Sequence, residues 1–295
     1  MAKNKSHIEW ALSQGTPSQS QIADIIKQAK ERKFVKHKPL KKEMEFGVVL
    51  SDIHFPKHDP VVWDIALQFI ADTKPDAVWL AGDICDLGCV SRHEKAPGDG
   101  FTLMQELAIA NMALDELSNA IGPREVDLMF VDGNHEDRIP RYLASGRCPP
   151  ELRDMVQQIP EALALEERGY LYVGPDEQPI QIGELAVFHG EWYGKNHAAK
   201  HADELGANCI YGHTHRPQIY TKQTLGGPII ATGMPCMRKL QAEWQHQRNR
   251  EFTGWISGFT VLEWVDGFAH PRFVFVIDGK AVWNRKVYEG RYEVE

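Results

Sequence analysis

Residues 46–54 read FGVVLSDIH, residues 77–83 read AVWLAGD, and residues 126–136 read VDLMFVDGNHE. Each is a short apolar run that stops abruptly at aspartate, asparagine or histidine. Runs of this length bounded by turn residues suit strands buried on both faces. Helical stretches lie between them, at about 60–72 and about 101–121. Strand, helix, strand, helix, strand predicts an α/β layer with a covered sheet. The three polar clusters fall just past the C-terminal ends of their strands, where open α/β sheets place their sites.

The second half repeats the pattern. A strand at 185–188 ends in His189-Gly190, and one at 209–211 ends in Gly212-His213-Thr214-His215. Further β-rich stretches follow at 218–221, 229–232, 258–264 and 272–277, and the hairpin signal Asp278-Gly279 leads into 280–283. These strands predict a second sheet stacked on the first, a sandwich of two sheets flanked by helices.

The chain has 295 residues, 43% of them hydrophobic, enough for one large core. No run of about 18 apolar residues appears, so no membrane span is expected. The first ten residues are polar and basic without an apolar stretch, which argues against a secretory signal and for a cytoplasmic protein. Five cysteines, Cys85, Cys89, Cys148, Cys209 and Cys236, are an odd count in a long chain and read as reduced thiols. Cys85 and Cys89 lack the second pair that a thiolate zinc site needs. Residues 1–42 hold ten basic and three acidic residues, a net of +7. The remainder holds 23 and 38, a net of −15. This arm reads as two short helices, at 7–12 and 19–33 with Ser18 as cap, followed by a solvated linker over 35–42. Its spacing resembles a helix-turn-helix. It is expected either to pack on the body at 43–295 or to contact nucleic acid. Oligomeric state is not legible.

The polar clusters are Asp52-x-His54, Gly82-Asp83, Gly133-Asn134-His135-Glu136, His189 and Gly212-His213-x-His215. They supply oxygen and imidazole nitrogen and no thiolate, a donor set that suits Mn, Fe, Zn or Ni. Residues two apart on an extended segment point to the same side, so Asp52 with His54, and His213 with His215, are expected to reach a common place. Gly82, Gly133 and Gly212 allow the tight turns that present them.

In this order the clusters resemble the calcineurin-like metallophosphoesterases, whose pattern is D-x-H, G-D, G-N-H-[DE], H and G-H-x-H. The match spans roughly residues 46–277, and by analogy the chain looks like phage or bacterial members. The resemblance implies a four-layer α/β/β/α sandwich of two mixed sheets. It implies two divalent ions, Mn2+ as first choice with Fe, Zn or Ni also suited. Asp52, His54 and His215 would hold one ion and Asn134, His189 and His213 the other, with Asp83 bridging. His135 would stand over the site as the catalytic imidazole, oriented by a hydrogen bond that it donates to Asp86. A hydroxide between the metals would then attack phosphorus without a protein nucleophile.

The Ser/Thr phosphatase branch has an arginine directly after the second aspartate, where this chain has Leu87. That departure counts against a phosphoprotein phosphatase, while the basic arm and the arginine and aromatic residues near the motifs point to a phosphodiesterase acting on nucleic acid or nucleotides. A phosphomonoesterase, including a protein phosphatase, is the alternative, and a non-catalytic DNA-binding module a third. Arg92, Arg138, Arg141 and Arg216 are candidate phosphate contacts. Trp192 and Tyr193 are candidates to stack on a base. The stretch 238–250 is expected to be a solvated helix or loop.

Overall fold

The computed structural model describes residues 37–38, 43–92, 100–153, 156–240 and 254–291. Both helices expected in the arm lie outside the described residues. His37 and Lys38 correct the reading of 35–42 as a solvated linker. His37 is buried and donates its amide to the Arg168 carbonyl, while Lys38 forms a parallel bridge with Glu125.

The first sheet is built on four parallel strands, β1 (Phe46–Leu50), β2 (Ala77–Ala81), β3 (Asp127–Val131) and β4 (Leu171–Val173). The second has β5 (Ile180–Ile182), β6 (Leu185–Val187), β7 (Asn208–Tyr211), β8 (Gln218–Thr224) and β9 (Gly227–Gly233), in the order β5-β6-β7-β9-β8. β10 (Gly258–Val265) and β11 (Phe268–Phe275), expected in the second sheet, instead return to the first and extend it antiparallel beyond β1. Both sheets are therefore mixed. β12 (Lys280–Trp283) and β13 (Lys286–Glu289) form a separate hairpin, which seats Trp283 and Tyr288 against Phe69.

Two long helices cover one face of the first sheet. α1 (Pro60–Thr73) starts at Asp59, whose carboxylate accepts from the Val61 and Val62 amides, with Pro60 in the first turn. α2 (Leu103–Ile121) starts at Thr102, which forms a reciprocal capping box with Gln105. The strand period of two sorts the side chains into layers. Val48, Leu50, Val78, Leu80, Leu128 and Phe130 join the helices in one core. Their neighbours Val49, Trp79, Met129 and Val131 meet Leu185, Val187 and Ile210 in a second core between the sheets. Ala186, Cys209 and Tyr211 face outward again, onto Ala198 and Ala202 of α4 (His197–Leu205). A shorter helix, α3 (Arg138–Ala144), lies beside the site. The result is helices, sheet, sheet, helix: the expected α/β/β/α sandwich.

β11 begins at Phe268, four residues before the expected 272. It is joined to β10 by Asp266 and Gly267, at φ 52° and 80°. That pair is a two-residue hairpin turn of the same kind as Asp278-Gly279. No helix among the described residues is long and apolar enough to cross a membrane. None of the five cysteines is in a disulfide.

Candidate metal centre

The loops after β1, β2, β3, β6 and β7 meet at one end of the sandwich. The β1 and β2 loops stay paired beyond the strands: the Asp52 amide donates to the Gly82 carbonyl (3.0 Å) and the His54 amide to the Asp83 carbonyl (2.9 Å). The β7 loop is tied in through Asp52, whose carboxylate oxygens lie 3.0 and 3.1 Å from the His213 amide. Asp52, His54, Asp83, His213 and His215 have φ of 54°, 57°, 53°, 68° and 57°. Their segments are thus not extended, and the expectation of two-residue alternation is corrected. The side chains converge because left-handed backbone turns them inward, a conformation that costs of order 1–3 kcal/mol per residue and concentrates at functional sites.

The structure brings the candidate ligands together in overlapping groups. Ligand atoms of Asp52, His54 and His215 lie within 4.8 Å of one another, as do those of Asp83, His189 and His213, and those of His54, Asp83 and His135, which share a member with each of the other two. The Asn134 amide oxygen is 2.8 Å from His213 Nδ1. Asp83 stands between the groups. Its Oδ1 accepts the His135 amide at 2.8 Å. Its Oδ2 lies 3.2 Å from His189 Nε2 and 3.7 Å from both His54 Nε2 and His135 Nε2.

These residues suit metal ions on their own geometry. His189 Nδ1 faces the Ala81 carbonyl at 3.0 Å, which assigns its proton to that nitrogen and leaves the Nε2 lone pair aimed into the cluster. His54 Nδ1 lies 3.3 Å from the Asp86 carboxylate, and its Nε2 approaches His215 Nε2 to 3.2 Å. Two imidazole nitrogens aimed at one point suit a shared cation. Burial would push the Asp83 carboxyl up, but His135, His189 and His54 overcome this and hold it well below the usual range. Burial disfavours charge on His189, yet Asp83 and Asp52 raise its pKa to about 10. The carboxylates therefore demand positive charge, which a divalent cation would supply in place of that proton.

His135 sits beside this cluster, its Nδ1 2.7 Å from the Asp86 main-chain carbonyl. The expected Asp86 contact is thus made mainly by the backbone, since the Asp86 carboxylate is 3.5 Å away. That carboxylate instead faces His54 and Lys57, the latter at 3.0 Å. Burial would raise the Asp86 pKa, and His54, His135 and Lys57 hold it well below its ordinary value. Asp86 consequently orients a candidate metal ligand more directly than it orients His135. Burial lowers the His135 pKa to about 4, against the pull of Asp83.

The glycines serve as expected, though for a more specific reason. A Cβ on Gly82 would lie 2.2 Å from His189 Nδ1, and one on Gly133 2.3 Å from both the Asp83 amide nitrogen and Oδ1. Glu136 stands in the Gly-Asn-His-Glu cluster, but the sequence assigns it no role. It is buried, and its carboxylate accepts from the amides of Asp83, Ile84, Cys85 and Gly133 at 2.8–2.9 Å. It clasps the β2 loop to the β3 loop. The only sequence signal was an acidic residue directly after Gly-Asn-His.

The candidate substrate residues divide. Arg138 reaches His135 Nε2 (2.8 Å) and the Asp86 carbonyl (2.6 Å). Arg92 and Arg141 line a cavity with Arg138. Tyr193 is 74% exposed, with its ring 6.4 Å from that of His213. Trp192 is half-buried, packed on His201 and under Lys200 of α4. Arg216 donates to the Tyr193 carbonyl and so anchors that loop. Arg238 is buried against Trp255, which in turn packs on His215, correcting the solvated reading at that position. Residues 241–250 lie outside the described residues.

A profile of the calcineurin-like phosphoesterases matches residues 48–217. The chain is 27% identical over 257 residues to the Gene 54 protein of Mycobacterium phage L5, covering 82% of this chain and 98% of the relative. Its counterpart from Mycobacterium phage D29 is 26% identical over 253 residues, with the same coverage. Among solved structures, Vps29 of Entamoeba histolytica complexed with zinc aligns with a TM-score of 0.43 and 14% identity, over 83% of this chain and 99% of that one. The phosphoesterase Yfce from E. coli aligns with 0.38 and 16%, over 74% and 88%.

Proposed function

We infer the function from family and site together: the chain belongs to the calcineurin-like phosphoesterase family and hydrolyses phosphoesters. The further reading is a phosphodiesterase working with two divalent ions, Mn2+ as first choice. The observation that carries the two-ion reading is Asp83, one oxygen fixed by the His135 amide and the other facing both ligand groups. Asp52, His54 and His215 would hold one ion, and Asn134, His189 and His213 the other, with Asp83 common to both. When bound, such a pair supplies Lewis-acid polarisation of the phosphoryl group and an activated water.

The protein's own part is positioning and proton transfer. His135 would contact a phosphoryl oxygen or the leaving group through Nε2, which Arg138 approaches in this structure, its ring held through Nδ1 by the Asp86 carbonyl. Arg138 adds a fixed cation beside it. The diester reading is supported by Leu87. The position where the Ser/Thr phosphatase branch carries its arginine is filled by a fully buried side chain in the core and offers no clamp for a monoester dianion.

A panel with Mn2+ tests this. Bis(p-nitrophenyl) phosphate should turn over faster than p-nitrophenyl phosphate, and the reverse ranking defeats the diester reading. Asp83→Asn should lose both metals in elemental analysis, and two retained metals would contradict the bridge. His135→Ala should cost roughly 10²–10⁴ in kcat with metal content kept.

A further inference from the structure

Beside the metal ligands lies a cavity of about 430 Å³. Four arginines line it, Arg92, Arg138, Arg141 and Arg147, together with Ser91, and it extends to Asn134. Among the described residues no acidic side chain lines it. In a chain of net charge −8, four guanidinium groups around one cavity are a local inversion of the field. Asp137 offsets one of them, Arg141, and an anion in the cavity would offset the others.

The arginines are held by the fold. Arg138 and Arg141 lie one turn apart on α3, sharing a face. Arg138 is fixed by its bonds to the Asp86 carbonyl and His135 Nε2. Arg141 is steadied by Asp137 at 2.5 Å. Arg147 lies over the Tyr142 ring at 5.7 Å, and its Nη1 is 3.4 Å from the Ser91 carbonyl. Asn134 connects the parts: its amide oxygen is 2.8 Å from His213 Nδ1, and the residue also lines the cavity.

We propose that this cavity is a subsite for a second phosphate of the substrate, the one next to the phosphate being hydrolysed. The proposal rests on the phosphoester hydrolase reading and deepens it. Guanidinium forks match phosphate oxygens in pairs, and several around one cavity suit a multiply charged group. A phosphoester seated at the ligand cluster sends its neighbouring group past Asn134 and Arg138 into this space. The phosphate can be separated from the first by a sugar, as in a nucleotide chain, or joined to it by an anhydride, as in a nucleoside diphosphate.

The experiment compares the p-nitrophenyl ester of thymidine 5′-phosphate with the same ester carrying a 3′-phosphate, and adds thymidine diphosphate as the anhydride arm. Wild-type enzyme with Mn2+ should favour one of the doubly phosphorylated substrates at least tenfold in kcat/KM, mainly through KM. Which one it favours identifies the spacing. Arg147→Gln should abolish that preference and leave the singly phosphorylated ester within about twofold. No preference in the wild type, or an equal loss on both kinds of substrate, overturns the subsite. Calorimetric binding of thymidine 3′,5′-bisphosphate and thymidine diphosphate against thymidine 5′-monophosphate reads the same preference without turnover. Tighter binding in wild type but not in the variant supports the subsite even if hydrolysis, and with it the diester reading, fails.

Discussion

Glu136 and Asp83 divide the work of holding one loop. The Glu136 carboxylate takes the amides of Asp83, Ile84 and Cys85, which aims the Asp83 side chain, and the Gly133 amide, which fixes the start of the Asn134-His135 turn. Burial and the Asp83 charge push the Glu136 pKa up to about 8, while the amide donors act in the opposite direction. Glu136→Gln replaces one acceptor oxygen by a donor amide and leaves two buried amides facing it. The expected cost is about 2–4 kcal/mol of stability, with weaker metal retention, read by denaturant melts and elemental analysis. Unchanged values for both would show that the clasp is unnecessary. At this scale the sequence revealed the ligand residue types, since imidazole and carboxylate after a strand are visible as letters. It did not reveal Glu136, whose role depends on which amides the fold leaves unpaired nearby.

At the scale of elements, the site depends on loops folded too tightly for ordinary side chains. Gly133→Ala would place a methyl 2.3 Å from the Asp83 amide nitrogen, which is main chain and cannot swing aside. Overpacking of this kind costs about 1–3 kcal/mol, and the displaced Asp83 should lower metal content measurably; full occupancy would show that the loop yields. The loop after β6 depends on α4 instead. His201 Nε2 lies 3.2 and 3.4 Å from the amides of Glu191 and Trp192, and its Nδ1 is 2.7 Å from the His197 carbonyl. This arrangement requires the neutral ring, and burial lowers its pKa to about 4. The folded state then binds fewer protons than the unfolded state between pH 6.5 and about 4. The contribution of His201 is complete above 6.5 and is lost as pH falls through that window. The Tm gap between wild type and His201→Gln should be largest at pH 7.5 and narrower at pH 5. A gap independent of pH would refute the assignment.

For the whole molecule, the centre is where the two sheets are joined. Asp52, His54, Asp83 and Asn134 extend from the first sheet, and His189, His213 and His215 from the second. Metal bound there stabilises their packing by linkage, about 2.7 kcal/mol at a hundredfold excess over Kd. For a body of this size that corresponds to roughly 5–10 °C in Tm, so chelation should lower the midpoint by that order and Asp83→Asn should show little further drop. The sequence by itself determined the strands β1, β2 and β3, the layer order and the ligand types. Period-two burial and strand-end polarity are local patterns that survive in one dimension. It did not determine how the ligands converge. Left-handed backbone at five of them, the turn of the Asp86 carboxylate toward His54, and the packing of Trp192 on α4 all arise from contacts between distant segments. The arginine cavity belongs with these. The sequence offers Arg92, Arg138 and Arg141 as separate phosphate contacts and passes over Arg147; only the fold of the segments after β2 and β3 sets the four charges around one space.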